Sequence, residues 1–326
     1  MNYIESSKSY TGSQMETVFF RPMLTGTSAV DLGVRVLYNM PVPTTVQLWN
    51  GQSDILKSNA IPGWSSPAKG EKVQKTIDLK RVKAEMGFSA ADYYSLIFEN
   101  VAAQAEVNLD DLTGTELEKA ETELFSRSIA ESIRATMWLG DTDRTEGGFD
   151  TFDGLIKKIE AAIAAGKIAP SEYSDGDVAD AQYALTLFDQ LWESAEDRLK
   201  DMKGEGQLAY FVTSDIYTLY EKALDAAGVD SSYVDAINGR TSLMYHGIPV
   251  VDLRIGTYLS ALEKMESFAM LTDRRNFAMA VNTSDFPGTE IRMWYNPDEM
   301  ENRQRATFAA GCEVLEESLV SIAIKA

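Results

Sequence analysis

Apolar positions along the chain switch between two periods, and the switches mark the elements. Val34 to Trp49 is rich in β-formers (Val34, Val36, Val42, Thr44, Thr45, Val46 and Leu48), and Pro41 and Pro43 forbid a helix there. Asn50 to Lys72 then reads as a long Gly/Pro/Ser loop, and a strand resumes at Lys75–Leu79. Two extended arms around such a tip predict a protruding hairpin, and loops of this length are usually functional. From Ser89 the pattern turns helical: Ala90, Tyr93, Tyr94, Ile97 and Val101 keep one face. The strongest helix follows. Thr115 and Glu118 form a capping box, Leu117, Leu124, Phe125, Ile129, Ile133 and Met137 make a stripe, and Gly140 ends it.

After a polar turn over Asp141–Asp153, Gly154–Ala165 reads as a helix with Leu155, Ile156, Ile159 and Ile163 on one face. Residues 167–180 have linker composition. One helix is expected from Leu185 to Met202, stopped at Gly204, and then a strand at Leu208–Val212. A further helix, capped by Ser214, carries Ile216, Leu219, Tyr220, Ala223, Leu224 and Ala227 and ends at Gly228. Strands are expected at Ile248–Leu253, after a His246-Gly247 turn, and at Phe277–Val281 and Glu290–Tyr295. Asn296, Pro297 and Glu299 read as a second capping-box helix start, and Thr307–Val314 and Leu319–Ile324 as closing strands. Residues 1–34 carry little core pattern and read as an arm. Strands and helices are partly segregated, the mark of an α+β chain.

Charge narrows the function. Of 326 residues, 30 are Lys or Arg and 50 are Asp or Glu, a formal charge of −20. That balance argues against sequence-reading of nucleic acid and against an anionic membrane surface. No apolar run reaches the ~20 residues that span a bilayer, and the polar start lacks the order of a signal peptide. Cys312 is the single cysteine, which excludes a disulfide framework and a cysteine-rich metal site and fits a reducing compartment.

Tests for chemistry are negative. Gly204-Glu205-Gly206-Gln207-Leu208-Ala209 matches a dinucleotide fingerprint, yet it follows a helix and opens a strand, the reverse of what pyrophosphate binding needs. Asp141-x-Asp143-x-Thr145 starts like a calcium loop, but its twelfth position is Phe152. His246 is the only histidine and has no nucleophile motif beside it. Asn282-Thr283-Ser284 fits the glycosylation pattern by chance in a chain without a secretory signal. No catalytic, cofactor-binding or metal-binding residue is assigned.

Two runs then carry a resemblance: Lys75–Ser89 (KTIDLKRVKAEMGFS), and Leu124–Gly140 (LFSRSIAESIRATMWLG) with Asp141 and then Phe152-Asp153-Gly154-Leu155-Ile156. Together they resemble the major capsid proteins of tailed bacteriophages, with the Hong Kong 97-type fold. In that family a strand leaves an extended loop, a helix and a long spine helix follow, and a Gly-Asp turn leads to Gly-Leu/Ile. Ala209–Tyr217 looks like the family's strand–Ser–helix in the axial domain, and Met244–Val251 like its Gly-x-Pro-Val strand start. Thr272–Arg274, Ile291–Arg305 and Thr307–Ile324 look like the strand, helix and strands that return to the peripheral domain. Each motif is degenerate; their order over residues 30–326 carries the resemblance.

The resemblance implies an arm at 1–34, an extended hairpin loop at 35–80, a peripheral domain with the spine helix at 81–180, an axial domain at 181–285 and return elements at 286–326. It implies a non-enzymatic shell protein without cofactor. Copies would assemble in the host bacterial cytoplasm into pentamers and hexamers, forming an icosahedral virion head around double-stranded DNA. Partners would be the chain itself, a portal protein and a cement protein. With Met1 only some thirty residues before the folded part, scaffolding is expected from a separate protein, unless the chain is trimmed. The family's Lys–Asn cross-links do not carry over: Lys57, Lys69 and Lys72 lie near the loop tip, but no acceptor or catalytic carboxylate can be matched. Trp49, Ile55, Leu56, Ile61 and Trp64, apolar residues in or beside a polar loop, are the candidate inter-subunit contacts, with packing inside their own hairpin as the alternative. Two rival functions stand: an encapsulin-type nanocompartment shell, and a hydrolase with two carboxylates ~5–10 Å apart in a pocket.

Overall fold

The computed structural model describes residues 8–10, 34–39, 44–50, 71–89, 116–144, 148–228, 243–262, 265–283, 290–296, 298–299 and 301–325. Its first sheet is built on β13 (Glu301–Val314), a strand of 14 residues. On one side β13 pairs with β5 (Lys80–Ser89). On the other it pairs with β12 (Glu290–Asn296) along its first half and β11 (Phe277–Asn282) along its second. β1 (Lys8–Tyr10) extends the sheet beyond β12, and β2 (Arg35–Tyr38) runs parallel to β11.

The second sheet has the order β6 (Ser171–Tyr173), β14 (Val320–Lys325), β10 (Phe268–Asp273), β7 (Leu208–Val212), β9 (Ile248–Asp252), β8 (Met244–Tyr245). β3 (Thr44–Asn50) and β4 (Glu71–Ile77) form a separate antiparallel ribbon. The α+β class expected from the sequence holds.

The main core lies between the sheets. Helix α1 (Glu116–Leu139), 24 residues and ~36 Å long, presents Phe125, Ile129, Ile133 and Met137 to it, a spacing of four that keeps one face. Leu124, expected on the stripe, sits one position off that spacing and is 45% exposed. Trp138 is wholly buried, its ring 5.8 Å from Phe211 of β7 and 5.6 Å from Phe277 of β11. One side chain thus joins the helix to both sheets. Helix α2 (Leu155–Ala164) adds Leu155, Ile156 and Ile159. The other face of the second sheet is covered by α3 (Tyr183–Ser194) and α5 (Ser214–Ala226), around a cluster of Phe188, Tyr210, Tyr220 and Tyr245 rings.

Several expectations are corrected. Residues 80–89 are strand: Val82, Ala84 and Met86 are half-buried and alternate with exposed Lys83, Glu85 and Gly87. Ser89 therefore ends a strand, and the helix expected over Ala90–Val101 lies outside the described residues. The helix expected over 185–202 is broken at Ala195, whose ψ is 144°, into α3 and α4 (Asp197–Asp201), followed by a 3-10 turn. Thr213 occupies the cap position expected of Ser214, whose hydroxyl instead donates to Asp252 at 2.8 Å. Within the expected linker, Ser171–Tyr173 joins the second sheet, and within the expected arm, Lys8–Tyr10 joins the first. The helix expected after Pro297 does not form: Asn296 pairs with Glu301, so β12 and β13 are a hairpin. The side chains inward from that half of β13 begin with Asn302 and Gln304, both buried. Two polar residues at inward positions hid the strand's alternation.

Candidate assembly surface

The β3–β4 ribbon is held to the body at its stem. Thr44↔Ile77 starts the register and Asn50↔Glu71 is the last described pair. Val46, Ile77 and Leu79 are buried against Ala278, Ala280, Ala309 and Leu315, on the face of the first sheet turned away from α1. Small residues there let the two backbones come close. At Gly311 of β13 an added Cβ would lie 2.3 Å from the carbonyl of Asp78, so only glycine lets the chain cross from β4 to β5.

Charge then fixes the stem. Lys75 of β4 reaches Glu317 at 2.6 Å and Glu313 of β13 at 3.8 Å. Glu313 also receives Lys158 of α2 at 3.0 Å, and Glu317 receives Lys167 at 3.3 Å. Burial alone would raise the Glu317 carboxyl, but hydrogen bonds from Lys75, its own backbone N–H and Lys167 outweigh it and leave the group below the usual carboxylate range. Lys75 is therefore the stem's polar anchor to β13, to the turn after it and, through Glu313, to α2.

The C-terminal half of α1 is tied down as specifically. Arg134 donates to the carbonyl of Leu253 at 2.8 Å and pairs with Glu131 at 2.6 Å, tying α1 to the chain after β9. Past Gly140, the Nζ of Lys157 sits among Asp141, Asp143 and Asp153 at 2.7, 2.8 and 2.8 Å. The aspartates that resembled a calcium loop surround an ammonium supplied by the chain itself.

Among the described residues, nothing covers the other half of the first sheet's face away from α1, where Arg292 and Arg305 are exposed. Arg292 of β12 lies directly opposite Arg305 of β13, and Trp294 directly opposite Arg303. Arg303 pairs with Glu301 at 3.5 Å and also with Glu299. Arg305 reaches Glu85 of β5 only at 4.0 Å, and Arg292 stacks over the Trp294 ring at 5.8 Å. Like charges directly opposite on a sheet destabilise it, so this pairing needs a reason outside the strand ladder.

Of the candidate contacts, Trp49 lies on β3 opposite Lys72, and its side chain is outside the described residues. Ile55, Leu56, Ile61 and Trp64 are likewise outside them. Sequence reasoning missed Lys75, Glu313 and Glu317 because their pairing spans some 240 residues. It missed the arginine–tryptophan face because the strand carrying Arg303 and Arg305 was read as a helix.

The groups that suggested chemistry are placed plainly. His246 is exposed in a two-residue turn with φ 49°, followed by Gly247 at φ 81°. Cys312 is buried, its thiol 3.1 Å from the Asp153 carbonyl, and burial pushes that thiol far above its ordinary range. The glycine fingerprint at 204–209 does run from a 3-10 turn into β7. A cavity of about 280 Å³ between β5 and α1 is lined mainly by apolar groups such as Met86, Phe125, Ile129 and Phe308. Glu85 borders it through the β5 backbone, but its carboxylate lies on the opposite face of the strand, with Lys83 and Arg305, so among the described residues the cavity holds no carboxylate pair.

Comparison with known proteins gives the fold class. Neither a protein-family model nor a curated protein sequence matches the chain. Among solved structures, a chain of the satellite phage P4 procapsid that includes the size determination (Sid) protein aligns with a TM-score of 0.58 at 9% identity, covering 94% of this chain and 97% of that one. A chain from Mycobacterium phage Ogopogo aligns with a TM-score of 0.53 at 11% identity, covering 91% of each. The holo-SrpI encapsulin complex from Synechococcus elongatus aligns less well, with a TM-score of 0.45 at 8% identity. The fold of this chain is the phage-capsid fold. The tailed-phage major capsid resemblance read from the ordered motifs points to that same fold.

Proposed function

We propose that this chain is the major capsid protein of a tailed phage or prophage, a structural subunit that builds a closed shell from copies of itself. The observation that carries this reading is the alignment over nearly the full length of both chains with a phage procapsid chain. Such agreement in element order at 9% identity reflects architecture rather than a shared motif. In this reading the Hong Kong 97-type layout applies: the β3–β4 ribbon is the base of the extended loop, α1 is the spine of the peripheral domain, and the sheet covered by α3 and α5 is the axial domain.

The finer assignments follow. Copies form pentamers and hexamers of an icosahedral head that encloses double-stranded DNA without reading its sequence. Scaffolding comes from a separate protein, and portal and cement proteins complete the particle. The role is not enzymatic. The ribbon's tip, with Trp49, Ile55, Leu56, Ile61 and Trp64, reaches a neighbouring subunit, and the stem anchored by Lys75 sets its direction. Repeated contacts of this kind are how identical subunits close a shell.

Expression of the full chain, with size-exclusion chromatography and negative-stain electron microscopy, tests the reading. Shells, rings of five or six, or tubes are expected, and deletion of residues 50–72 is expected to abolish them. A compact monomer that stays monomeric when co-expressed with its neighbouring genes refutes it. Shells that hold a cargo enzyme and lack nucleic acid would instead place the chain with the encapsulin-type compartments, the second reading.

A further inference from the structure

On the open face of the first sheet, Arg292, Trp294, Arg303 and Arg305 form a two-by-two block on adjacent strands. Two features set this block apart in a chain of charge −20. Arg292 has no carboxylate partner among the described residues, and across the ladder it faces Arg305, whose contact with Glu85 is a long one at 4.0 Å. Arginine and tryptophan are also the residue types most often found at the energetic centre of protein interfaces. Around the block stand Glu85, Glu290 and Glu301, also on this face.

The second sheet's helix layer carries the opposite charge. From Glu172 to Asp197 there are eight exposed carboxylates and no lysine or arginine; Arg198 and Lys200 follow on α4, the first paired with Glu316 and the second 3.6 Å from Asp197. Glu193 at the end of α3 and Glu196 before α4 make no ion pair with any described residue. Two copies of such a surface repel each other, so it does not serve a like-to-like contact. It does complement the arginine block.

We propose that the Arg292–Trp294–Arg303–Arg305 face of one subunit docks on the acidic helix surface around Glu193 and Glu196 of a second copy. The inference rests on the shell reading above and names the pair of surfaces that meet. Because the two surfaces differ, the contact is head-to-tail, the type that generates closed rings. A bare polyphosphate is the poorer occupant. Glu85, Glu290 and Glu301 on the same face would oppose a line of phosphates, whereas the helix surface sets Arg198 and Lys200 beside Glu196 and Asp197 and so offers cations as well.

The test is a charge swap in the full chain. One variant carries Arg292→Glu and Arg305→Glu, a second carries Glu193→Lys and Glu196→Lys, and a third carries all four. Assembly is followed against protein concentration by light scattering and negative stain, with thermal melting to check folding. Each two-site variant is expected to raise the assembly midpoint at least tenfold, and the four-site variant to return it to within about threefold of wild type. If the first variant melts early, Arg292→Gln with Arg305→Gln replaces it, expected to raise the midpoint and flatten its dependence on salt. The inference is overturned if the four-site variant assembles no better than its parents, or if reversing the arginines leaves the midpoint unchanged. Unchanged assembly with less nucleic acid retained in the particles would make nucleic acid the partner of this face and overturn it equally. A wild-type chain that never self-associates removes the shell reading itself, a result distinct from a failed swap.

Discussion

Replacing Glu313 by glutamine removes one charge from the ribbon's anchor and keeps its shape. The side chain is 9% exposed and lies between Lys158 at 3.0 Å and Lys75 at 3.8 Å. A hydrogen bond to a charged group contributes about 1.5–3 kcal/mol. The longer contact to Lys75 adds a Coulomb attraction only, and both lysines keep about a quarter of their side chains in water, which weakens it. Glu313→Gln should therefore cost about 2 kcal/mol, or about 4–8 °C of melting temperature at the sensitivity of large domains.

Lys80→Ala is the control. Its pair with Asp78 lies on the same stretch of chain but is mostly exposed, and its loss should move the melting temperature by less than about 1 °C. Calorimetry or a dye-monitored melt reads both variants. Equal melting of wild type and Glu313→Gln, or an equal fall in Lys80→Ala, refutes the argument that the buried network anchors the stem. The network also sets an acid limit. Glu317 is held below the ordinary carboxylate range when folded, so its contribution is present above the unfolded value, about 4.3, and is lost as pH falls through the lower folded value. Wild-type stability from this source should be flat from neutral pH down to about 5 and decline below about 4.

Further outcomes follow from the geometry. Gly311→Ala drives a Cβ to 2.3 Å from the Asp78 carbonyl and should cost about 3 kcal/mol or more, read as a fall in soluble yield and melting temperature. Gly166→Ala, at φ +69° with open space around it, should cost only about 1 kcal/mol in the same assay. Lys157→Met leaves Asp141, Asp143 and Asp153 without their ammonium. It should lower the melting temperature at neutral pH, and the gap from wild type should narrow as pH falls through the lowered Asp153 value, since that group gains stability only while ionised. Cys312 should resist a water-soluble thiol reagent in the native protein and react fully in denaturant; fast native labelling would contradict its burial beneath α1 and α2.

What was legible in the sequence is what local pattern controls. The spacing of Phe125, Ile129, Ile133 and Met137 fixes α1 without reference to the rest of the chain, and Gly140 follows its last residue, Leu139. β7, a continuous apolar run, and the His246-Gly247 turn are equally local. Misreadings arose where a partner far along the chain decides. Asn296, Pro297 and Glu299 satisfy the local rule for a helix start, while the strand that forms instead is set by pairing with β5, over two hundred residues earlier, and carries the polar Asn302 and Gln304 inward. At Lys80–Ser89 the alternation of Val82, Ala84 and Met86 with polar residues marks a strand locally, and the strand keeps Ser89, the position at which the apolar period of Ala90–Val101 begins. Of the candidate site, the ribbon was foreseen from composition and Trp49 falls on its stem. Its anchor was not, because no local rule links Lys75 to Glu317 across 242 residues.

The position of β13 bears on how the chain is made. It is the central strand of the first sheet, and β14, just after it, pairs with β10 and β6 in the second. Translation delivers these two strands after every other described element, so neither sheet can be completed while residues 301–325 are still inside the ribosome. Pairs such as Ala84↔Ala306 close loops of more than two hundred residues, which makes the final step slow. A nascent chain therefore acquires its finished surfaces only once residues 301–325 have emerged. For the proposed shell subunit, this delays contact between copies until both sheets are complete.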